Sequence, residues 1–194
     1  PYFMGSMDKI KKKDQVKNWM SKYLDTKEKD KGFVITSKLD GISALYINNQ
    51  KSVALYTRGN GTYGRCINNI IKNLDLPEFT SDSKIVLRGE LIISKKNFME
   101  NGSNYNNCRG MVNGLVALKE DNPIQKNLDF VVFEVIEPKL TPYEQFKFIK
   151  KLGFKMPIVE SHKFDDIIRW SNDQDSFCLN KLNDYRKRSD YEMD

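Results

Sequence analysis

The chain begins with a helical pattern of hydrophobic residues and continues with short apolar runs of strand type. Apolar residues recur at helical spacing over residues 16–24, after the potential cap Asp14, and predict a short amphipathic helix. Three apolar runs rich in β-branched residues follow at residues 33–38, 42–47 and 52–58. A short polar connection joins the last two runs, so the pattern predicts an antiparallel three-stranded meander.

Strand and helix patterns then alternate along the chain. Apolar residues over 66–74 mark one face of a helix. Two longer strand patterns cover residues 84–93 and 128–136, and a helix between them is predicted to end near Leu118. Two further strands, separated by a helix, therefore follow the predicted meander.

The clearest helix signal comes late in the chain. Residues 141–144 (T-P-Y-E) combine a cap, a proline at the first helical position and a capping-box glutamate, and predict a helix that ends near Gly153. Short helical patterns and polar turns alternate from Asp165 onward. Runs of strands with helices between and after them predict an α+β fold with antiparallel sheets and packed helices. We assign residues 1–30 to an N-terminal segment with the amphipathic helix and residues 31–194 to the main domain.

Composition excludes several classes of protein. The longest apolar runs are far too short to span a bilayer, in a chain that is 30% charged. The three cysteines form no C-x-x-C pair and there is a single histidine, so neither a zinc site nor a disulfide framework is predicted. The first residues lack the charged and then apolar order of a secretory signal. We therefore expect an intracellular protein that makes no membrane contact and has no metal site built from its own side chains.

The net charge of +6 changes this picture only in part. Positive charge suits a polyanionic partner, although it is also common on ordinary protein surfaces. One interpretation is an enzyme that binds phosphate groups. The other is a non-catalytic nucleic-acid-binding domain, in which basic charge and scattered aromatic residues track the phosphate backbone.

Three short motifs carry candidate chemistry. Residues 38–41 (K-L-D-G) place Lys38 at the end of a predicted strand, with a glycine that permits a tight reversal. Residues 57–64 (T-R-G-N-G-T-Y-G) place Arg58 before a glycine-rich loop that opens a helix, which suits anionic groups. Each of these two motifs is also compatible with an ordinary turn.

The third motif lies within a predicted strand. Arg88 and Glu90 share one face because strand side chains alternate, and Gly89 leaves the other face open. A charged pair that faces inward needs a ligand or a partner. On an exposed sheet face, the same residues would form only a surface ion pair.

In this order, the motifs resemble the nucleotidyltransferase core of DNA ligases, RNA ligases and capping enzymes. Residues 57–64 are most similar to the T-R-G-D-G-T-x-G signature of NAD-dependent DNA ligases, with Asn60 in place of the aspartate. This similarity disfavours ATP-dependent polynucleotide ligases, which stay as an alternative within the enzyme class. Further segments that resemble the NAD-dependent family are residues 1–10, 107–110, 128–133, 141–154 and 191–194.

The resemblance implies a ligase core of the nucleotidyltransferase, ATP-grasp-like type and a set of functional residues. The catalytic residues would be Lys38, Asp40, Glu90 and Asp194. The nucleotide-binding residues would be Ser6, Met7, Thr36, Lys38, Leu39, Arg58, Glu90 and Phe133. Arg109 is expected to contact DNA. In this scheme Lys38 takes AMP covalently, Asp40 orients it and Phe133 covers one face of adenine.

The resemblance also implies substrates and partners. NAD would be the AMP donor, Mg²⁺ would assist, and the parent enzyme would act as a monomer on nicked duplex DNA. Residues 191–194 (Y-E-M-D) resemble the start of a longer family motif that is cut at Asp194. We therefore expect a fragment that binds adenine nucleotides without sealing nicks alone.

Three departures from the family pattern stand out. Thr36 replaces a glutamate expected two residues before the lysine, and Arg65 and Cys66 replace an acidic pair after Gly64. Ala117 replaces an arginine expected eight positions beyond Arg109. These departures favour a divergent branch, of viral type, with rearranged adenine contacts. They also imply that a contact with nicked DNA is missing or moved.

Overall fold

The computed structural model describes residues 2–5, 15, 18–19, 22, 32–81, 83–163, 165–166 and 177–194, and most of the amphipathic helix predicted over residues 16–24 lies outside them. The strands are β1 Phe33–Thr36, β2 Ile42–Asn48, β3 Val53–Thr57, β4 Ile85–Ile93, β5 Leu128–Glu137 and β6 Val159–His162. The α-helices are α1 Lys95–Asn101, α2 Cys108–Ala117, α3 Pro142–Leu152 and α4 Phe177–Arg188. Two 3₁₀ helices span Asn68–Asn73 and Pro123–Asn127. The predicted α+β class with antiparallel sheets and packed helices is confirmed.

The main sheet has four antiparallel strands in the order β3-β2-β4-β5. Strand β2 is central and pairs with β3 on one side and β4 on the other, so Ser43 lies directly opposite Glu90. Helices α2 and α3 cover one face, where Tyr46 and Phe130 each meet Phe154 edge to face in the core. Because strand residues alternate between faces, Ser43 and Glu90 lie on the face opposite this core.

The prediction that β1 belongs to a meander with β2 and β3 was wrong. Strand β1 pairs instead with β6 in a separate two-stranded sheet. The backbone N–H groups of the connection after β1 find their hydrogen-bond acceptors in the C-terminal part of the chain. Ser37 N–H donates to Ile158 O at 3.0 Å, and Asp40 N–H donates to Glu192 O at 3.0 Å. Backbone groups need partners wherever they are buried. Here the partners lie far away in the sequence, where a local pattern cannot indicate them.

Local signals located α2 and α3 well, but α1 was not predicted. The α3 capping box forms between Thr141 and Glu144, and the helix ends at Gly153, whose φ of 85° is left-handed. The helix predicted over residues 66–74 is a shorter 3₁₀ helix. Its start is held to β3, because Leu55 N–H donates to Asn68 Oδ1 at 2.8 Å.

The sequence pattern predicted that Gly89 leaves an open face on β4, but the structure shows that this face is closely packed. A Cβ atom at this position would lie 2.7 Å from the Phe130 ring and 2.6 Å from the Val131 carbonyl oxygen. Glycine therefore allows the β4 backbone to pack closely against the core aromatic residue. This packing fixes the strand that carries Arg88 and Glu90.

Candidate active site

A cavity of about 760 Å³ brings together most of the functional residues predicted from the sequence. The predicted residues that line it are Thr36, Lys38, Leu39, Arg58, Glu90, Arg109, Phe133 and Asp194. Ser6 and Met7 lie outside the described residues, although Gly5 before them lines the cavity. Side chains from several strands, a helix start and the last residue of the chain thus face one space.

Lys38 follows β1 and contacts Asp194 in the lining of the cavity. Its side-chain amine donates a hydrogen bond to the Asp194 carboxylate, and the two form an ion pair. The backbones are also joined: Asp194 N–H donates to Lys38 O at 2.9 Å, and Leu39 forms an antiparallel bridge with Met193. The C-terminal segment therefore completes the surroundings of the lysine.

Asp40 contacts Arg109 in this structure. Arg109 Nη1 donates to Asp40 Oδ1 at 2.8 Å, which joins the loop after β1 to the start of α2. The orienting role predicted for Asp40 toward Lys38 stays a prediction, as does the DNA contact predicted for Arg109. Because both side chains of the pair are substantially exposed, a polyanion has access to the Arg109 guanidinium.

Glu90 is the most buried charged residue of the cavity, with 7% of its surface exposed. Ser43 Oγ donates to Glu90 Oε2 at 2.9 Å. Burial raises the pKa of Glu90, while hydrogen bonds from Ser43 and the Gly41 backbone, together with the charges of Arg109 and Lys38, act in the opposite direction. This burial contradicts the alternative of an exposed sheet face.

Arg88 does not pair with Glu90. Its Nη1 forms an ion pair with Glu134 Oε2 at 2.8 Å, and its Nη2 donates to Phe3 O at 2.9 Å. Arg88 thereby anchors the N-terminal segment beside the cavity. Because the Arg88 guanidinium binds Glu134 and Phe3 instead, it does not neutralise the Glu90 carboxylate, which lines the cavity where a ligand would bind.

The first turn of α2 also faces the cavity. Asn107 is the N-cap and accepts a hydrogen bond from Gly110 N–H at 2.7 Å. Arg109 and Asn113 project from the same helix into the cavity lining. The start of a helix carries partial positive charge. In the described part of the chain, the cavity is also lined by four cationic side chains and only two carboxylates. These cationic side chains are Lys38, Arg58, Arg88 and Arg109. The arrangement suits a ligand with phosphate groups.

Comparison with known proteins decides the family. The sequence model of the NAD-dependent DNA ligase adenylation domain matches residues 2–194. The chain belongs to this family. The resemblance read from the motifs is thereby confirmed, and both alternatives, an ATP-dependent ligase core and a non-catalytic nucleic-acid-binding domain, are disfavoured.

Relatives of this adenylation domain occur in viruses and bacteria. A DNA ligase of Acanthamoeba polyphaga mimivirus is 34% identical over 201 residues, which cover 100% of this chain and 29% of the relative. A DNA ligase of Borreliella afzelii (strain PKo) is 27% identical over 205 residues, which cover 97% of this chain and 30% of the relative. The chain thus spans about three tenths of the length of these relatives.

Several residues of the adenylation domain's cavity escaped the sequence prediction. They include Ser43, Asn107, Asn113 and Pro157. A polar residue inside the apolar run of β2 was the available signal for Ser43, because it falls on the face opposite Ala44 and Tyr46. The others come from elements whose place beside the cavity depends on the tertiary fold.

Among the residues that the structure describes, no group of three or more His, Cys, Asp or Glu side chains is arranged to hold a metal ion. Within the same residues, no helix is long and apolar enough to cross a membrane.

Proposed function

We propose that Lys38 of this domain takes AMP from NAD, and that the full-length protein uses the resulting lysyl-AMP to seal nicks in duplex DNA. The main support for this proposal is that, in a chain of this family, Lys38 lines the same cavity as Arg58, Glu90 and Phe133. A nucleophile, a cation, a buried carboxylate and an aromatic ring are what an adenylate needs around it.

In the proposed step, the Lys38 amine attacks the α-phosphorus of NAD. A nitrogen–phosphorus bond forms, the bond from phosphorus to the bridging oxygen breaks, and nicotinamide mononucleotide leaves with that oxygen. An ordinary lysine is protonated at neutral pH, so the amine must lose a proton in this step. Asp194 already accepts a hydrogen bond from this amine and is the carboxylate best placed to take the proton.

The other residues of the cavity would bind the nucleotide. Phe133 on β5 would cover one face of adenine, and Thr36 and Leu39 line the same cavity. Glu90 would accept hydrogen bonds from the ribose hydroxyls, and Arg58 would bind the phosphate. Arg58 N–H donates a hydrogen bond to Ser43 O at 2.9 Å, and this bond holds the start of the glycine-rich loop in place beside the cavity.

Mg²⁺ would be a further participant. It commonly binds one or two protein carboxylates together with substrate phosphates, which fits a cavity lined by Glu90 and Asp194. When bound there, it would neutralise the negative charge that develops on the phosphoryl group. Lys38 and Arg58 would supply the remaining positive charge from the protein itself.

The wider setting follows from the family. We propose that the parent protein is an intracellular monomer that acts on nicked duplex DNA, with Arg109 as one DNA contact. In that scheme residues 31–194 form the adenylation domain, and residues 1–30 lead into it. The pairing of Arg109 with Asp40 would then be exchanged for a pairing with a DNA phosphate.

Labelling with NAD tests the proposal. The full-length protein, incubated with NAD that carries a labelled adenylate, should form an acid-labile, alkali-stable adduct on Lys38. The Lys38→Arg variant keeps the positive charge but should form no adduct. Labelling that persists in this variant would contradict the assignment of the nucleophile, and efficient labelling by ATP instead of NAD would contradict the proposed donor.

A further inference from the structure

Ser43 is a polar residue on an otherwise apolar face of β2. Its neighbours on the same face are Leu45 and Ile47, because strand side chains alternate. These two apolar residues pack with Met4 in a small core cluster. Ser43, by contrast, lines the cavity. The face of the sheet therefore changes from apolar to polar at Ser43, where the cavity begins.

The strand register places the Ser43 hydroxyl against Glu90. The two residues lie directly opposite each other in the antiparallel pairing of β2 with β4. Side chains that are opposed in this way have Cβ atoms about 4.5–5.5 Å apart, within reach of a hydroxyl and a carboxylate. Ser43 Oγ donates to Glu90 Oε2 at 2.9 Å. The contact is therefore set by two paired strands and does not depend on a loop.

The backbone of Ser43 holds a second residue of the cavity. Arg58 N–H donates to Ser43 O at 2.9 Å, where β3 passes into the glycine-rich loop. In the proposed function, Arg58 binds the phosphate of the nucleotide and Glu90 binds the ribose hydroxyls. Ser43 is thus hydrogen-bonded to the ribose-binding residue through its side chain and to the phosphate-binding residue through its backbone.

The Glu90 carboxylate needs a partner that holds its orientation. The terminal torsion of a glutamate side chain is broad, so rotamer preference alone does not fix the plane of the carboxylate. Glu90 is buried, and Arg88 on the same face pairs with Glu134 instead. The Ser43 hydroxyl is a neutral donor that orients the carboxylate without cancelling its charge. A charged acceptor in a fixed orientation suits a ligand that donates through hydroxyl groups.

We propose that Ser43 is a positioning residue that orients Glu90 toward the ribose hydroxyls and thereby sets the selectivity of the cavity for ribonucleotides over 2′-deoxyribonucleotides. A site built to bind a hydroxyl group rejects a ligand that lacks it, because the buried acceptor is then left unpaired. This inference rests on the proposed function, since it takes Glu90 as the ribose-binding residue. Its new content is the role of Ser43 and the selectivity that follows from it.

Binding of AMP and of 2′-deoxy-AMP to the full-length protein tests the inference. Every protein in the series carries Lys38→Arg, which keeps the positive charge and removes the amine that would hold AMP covalently. Ser43→Ala should reduce the ratio of the two dissociation constants about fivefold, which corresponds to about 1 kcal/mol, the value of one hydrogen bond. Ser43→Thr keeps the hydroxyl and should retain the ratio. Ser161→Ala, which removes an exposed hydroxyl from β6, is the matched control and should also retain it.

A double variant tests whether Ser43 acts through Glu90. Glu90→Ala removes the group that Ser43 orients, so Ser43→Ala should reduce the ratio no further in that background. An equal reduction by Ser43→Ala in the presence and in the absence of the Glu90 carboxylate would show that the two residues act independently. That result would overturn the inference.

The alternative role, a purely structural contact between β2 and β4, gives a different result. In that case Ser43→Ala lowers the free energy of unfolding and leaves the ratio unchanged, which overturns the inference. Ser43→Cys is close to serine in size and has only a weak donor, so its ratio decides the question if the alanine variant folds poorly.

Formation of the Lys38 adduct by the unmodified protein tests the proposed function separately. An adduct together with an unchanged ratio in Ser43→Ala overturns the inference alone. A reduced ratio without any adduct contradicts the proposed reaction but supports the role of Ser43 in nucleotide selectivity.

Discussion

The Lys38 amine donates a hydrogen bond to the carboxylate of Asp194, a residue 156 positions further along the chain. The two residues are also joined through their backbones, at 2.9 Å between Asp194 N and Lys38 O. Tyr191 anchors the segment that carries Asp194, because its O–H donates to Asp129 Oδ2 at 2.9 Å. The surroundings of Lys38 therefore depend on residues that fold onto it from the far end of the sequence.

Replacement of the carboxylate should slow adenylation without unfolding the domain. Asp194→Asn keeps the size of the side chain but removes the charge opposite Lys38, and we expect labelling by NAD to slow at least tenfold, about 1.4 kcal/mol in transition-state stabilisation. Single-turnover labelling measures the rate. Glu192→Gln is the matched control, since its contact with Asp40 uses only the backbone carbonyl. Equal rates for Asp194→Asn and the unmodified protein would remove Asp194 from the mechanism.

Tyr191 should act as a positioning residue. Burial and the neighbouring Asp129 carboxylate raise the pKa of Tyr191, so it remains a hydrogen-bond donor across the physiological range. Tyr191→Phe removes this hydrogen bond and should cost about 1 kcal/mol of stability. It should also lower the adenylation rate severalfold while the affinity for AMP changes little, because Asp194 is less well held. Calorimetry and single-turnover labelling separate the two effects.

A matched variant controls for the loss of a hydroxyl group. Tyr143 lies on α3 and is 53% exposed, so Tyr143→Phe should change neither stability nor rate. If Tyr191→Phe weakens AMP binding and adenylation in equal proportion, the positioning role is wrong and Tyr191 contributes to nucleotide binding instead.

Substitution of Glu90 by glutamine should raise the stability of the domain at neutral pH but lower its activity. Burial raises its pKa above the ordinary value of 4.5, so the stabilisation linked to this shift is fully present below pH 4.5 and is lost as the pH rises through the pKa of the folded state. Glu90→Gln is neutral at every pH, and should therefore gain stability relative to the unmodified domain as the pH rises from 4 to 7. Urea unfolding at each pH measures this difference.

The same substitution should impair function. Glu90→Gln should lower adenylation at least tenfold at pH 7, or about 1.4 kcal/mol, because a neutral amide is a weaker acceptor for ribose hydroxyls. Glu120→Gln, at an exposed position, should affect neither quantity. Full activity in Glu90→Gln would mean that the carboxylate has only a structural role.

Gly41 should resist substitution because β4 approaches it closely. A Cβ atom at this position would lie 2.2 Å from Leu91 O and 2.9 Å from Glu90 Cγ. Gly41→Ala should therefore destabilise the domain by about 1–3 kcal/mol in chemical denaturation. The contrasting variant is Gly110→Ala in α2, where the nearest atom is 3.2 Å away and alanine favours the helix by about 1 kcal/mol. Equal stability losses in the two variants would show that close packing does not explain the glycine.

The sequence by itself determined the elements with local causes. The capping box of Thr141 and Glu144 begins α3 and the left-handed Gly153 ends it, both where the pattern predicted, because these interactions join neighbours in the chain. The order of the short motifs was sufficient to indicate the family, which the family match confirms. The alternation of β4 correctly placed Arg88 and Glu90 on one face.

Only the tertiary structure decided which of these elements meet. Strand β1 pairs with β6, Asp40 with Arg109, and the Arg65 guanidinium with the end of α2. The hydrophobic periodicity of the sequence cannot predict these contacts. Periodicity reports the local conformation of a segment, whereas each contact joins two segments that are distant along the chain. Gly89 illustrates the reason: its local pattern indicated an open face, but a close approach to Phe130, set by the packing of β5, determines its surroundings.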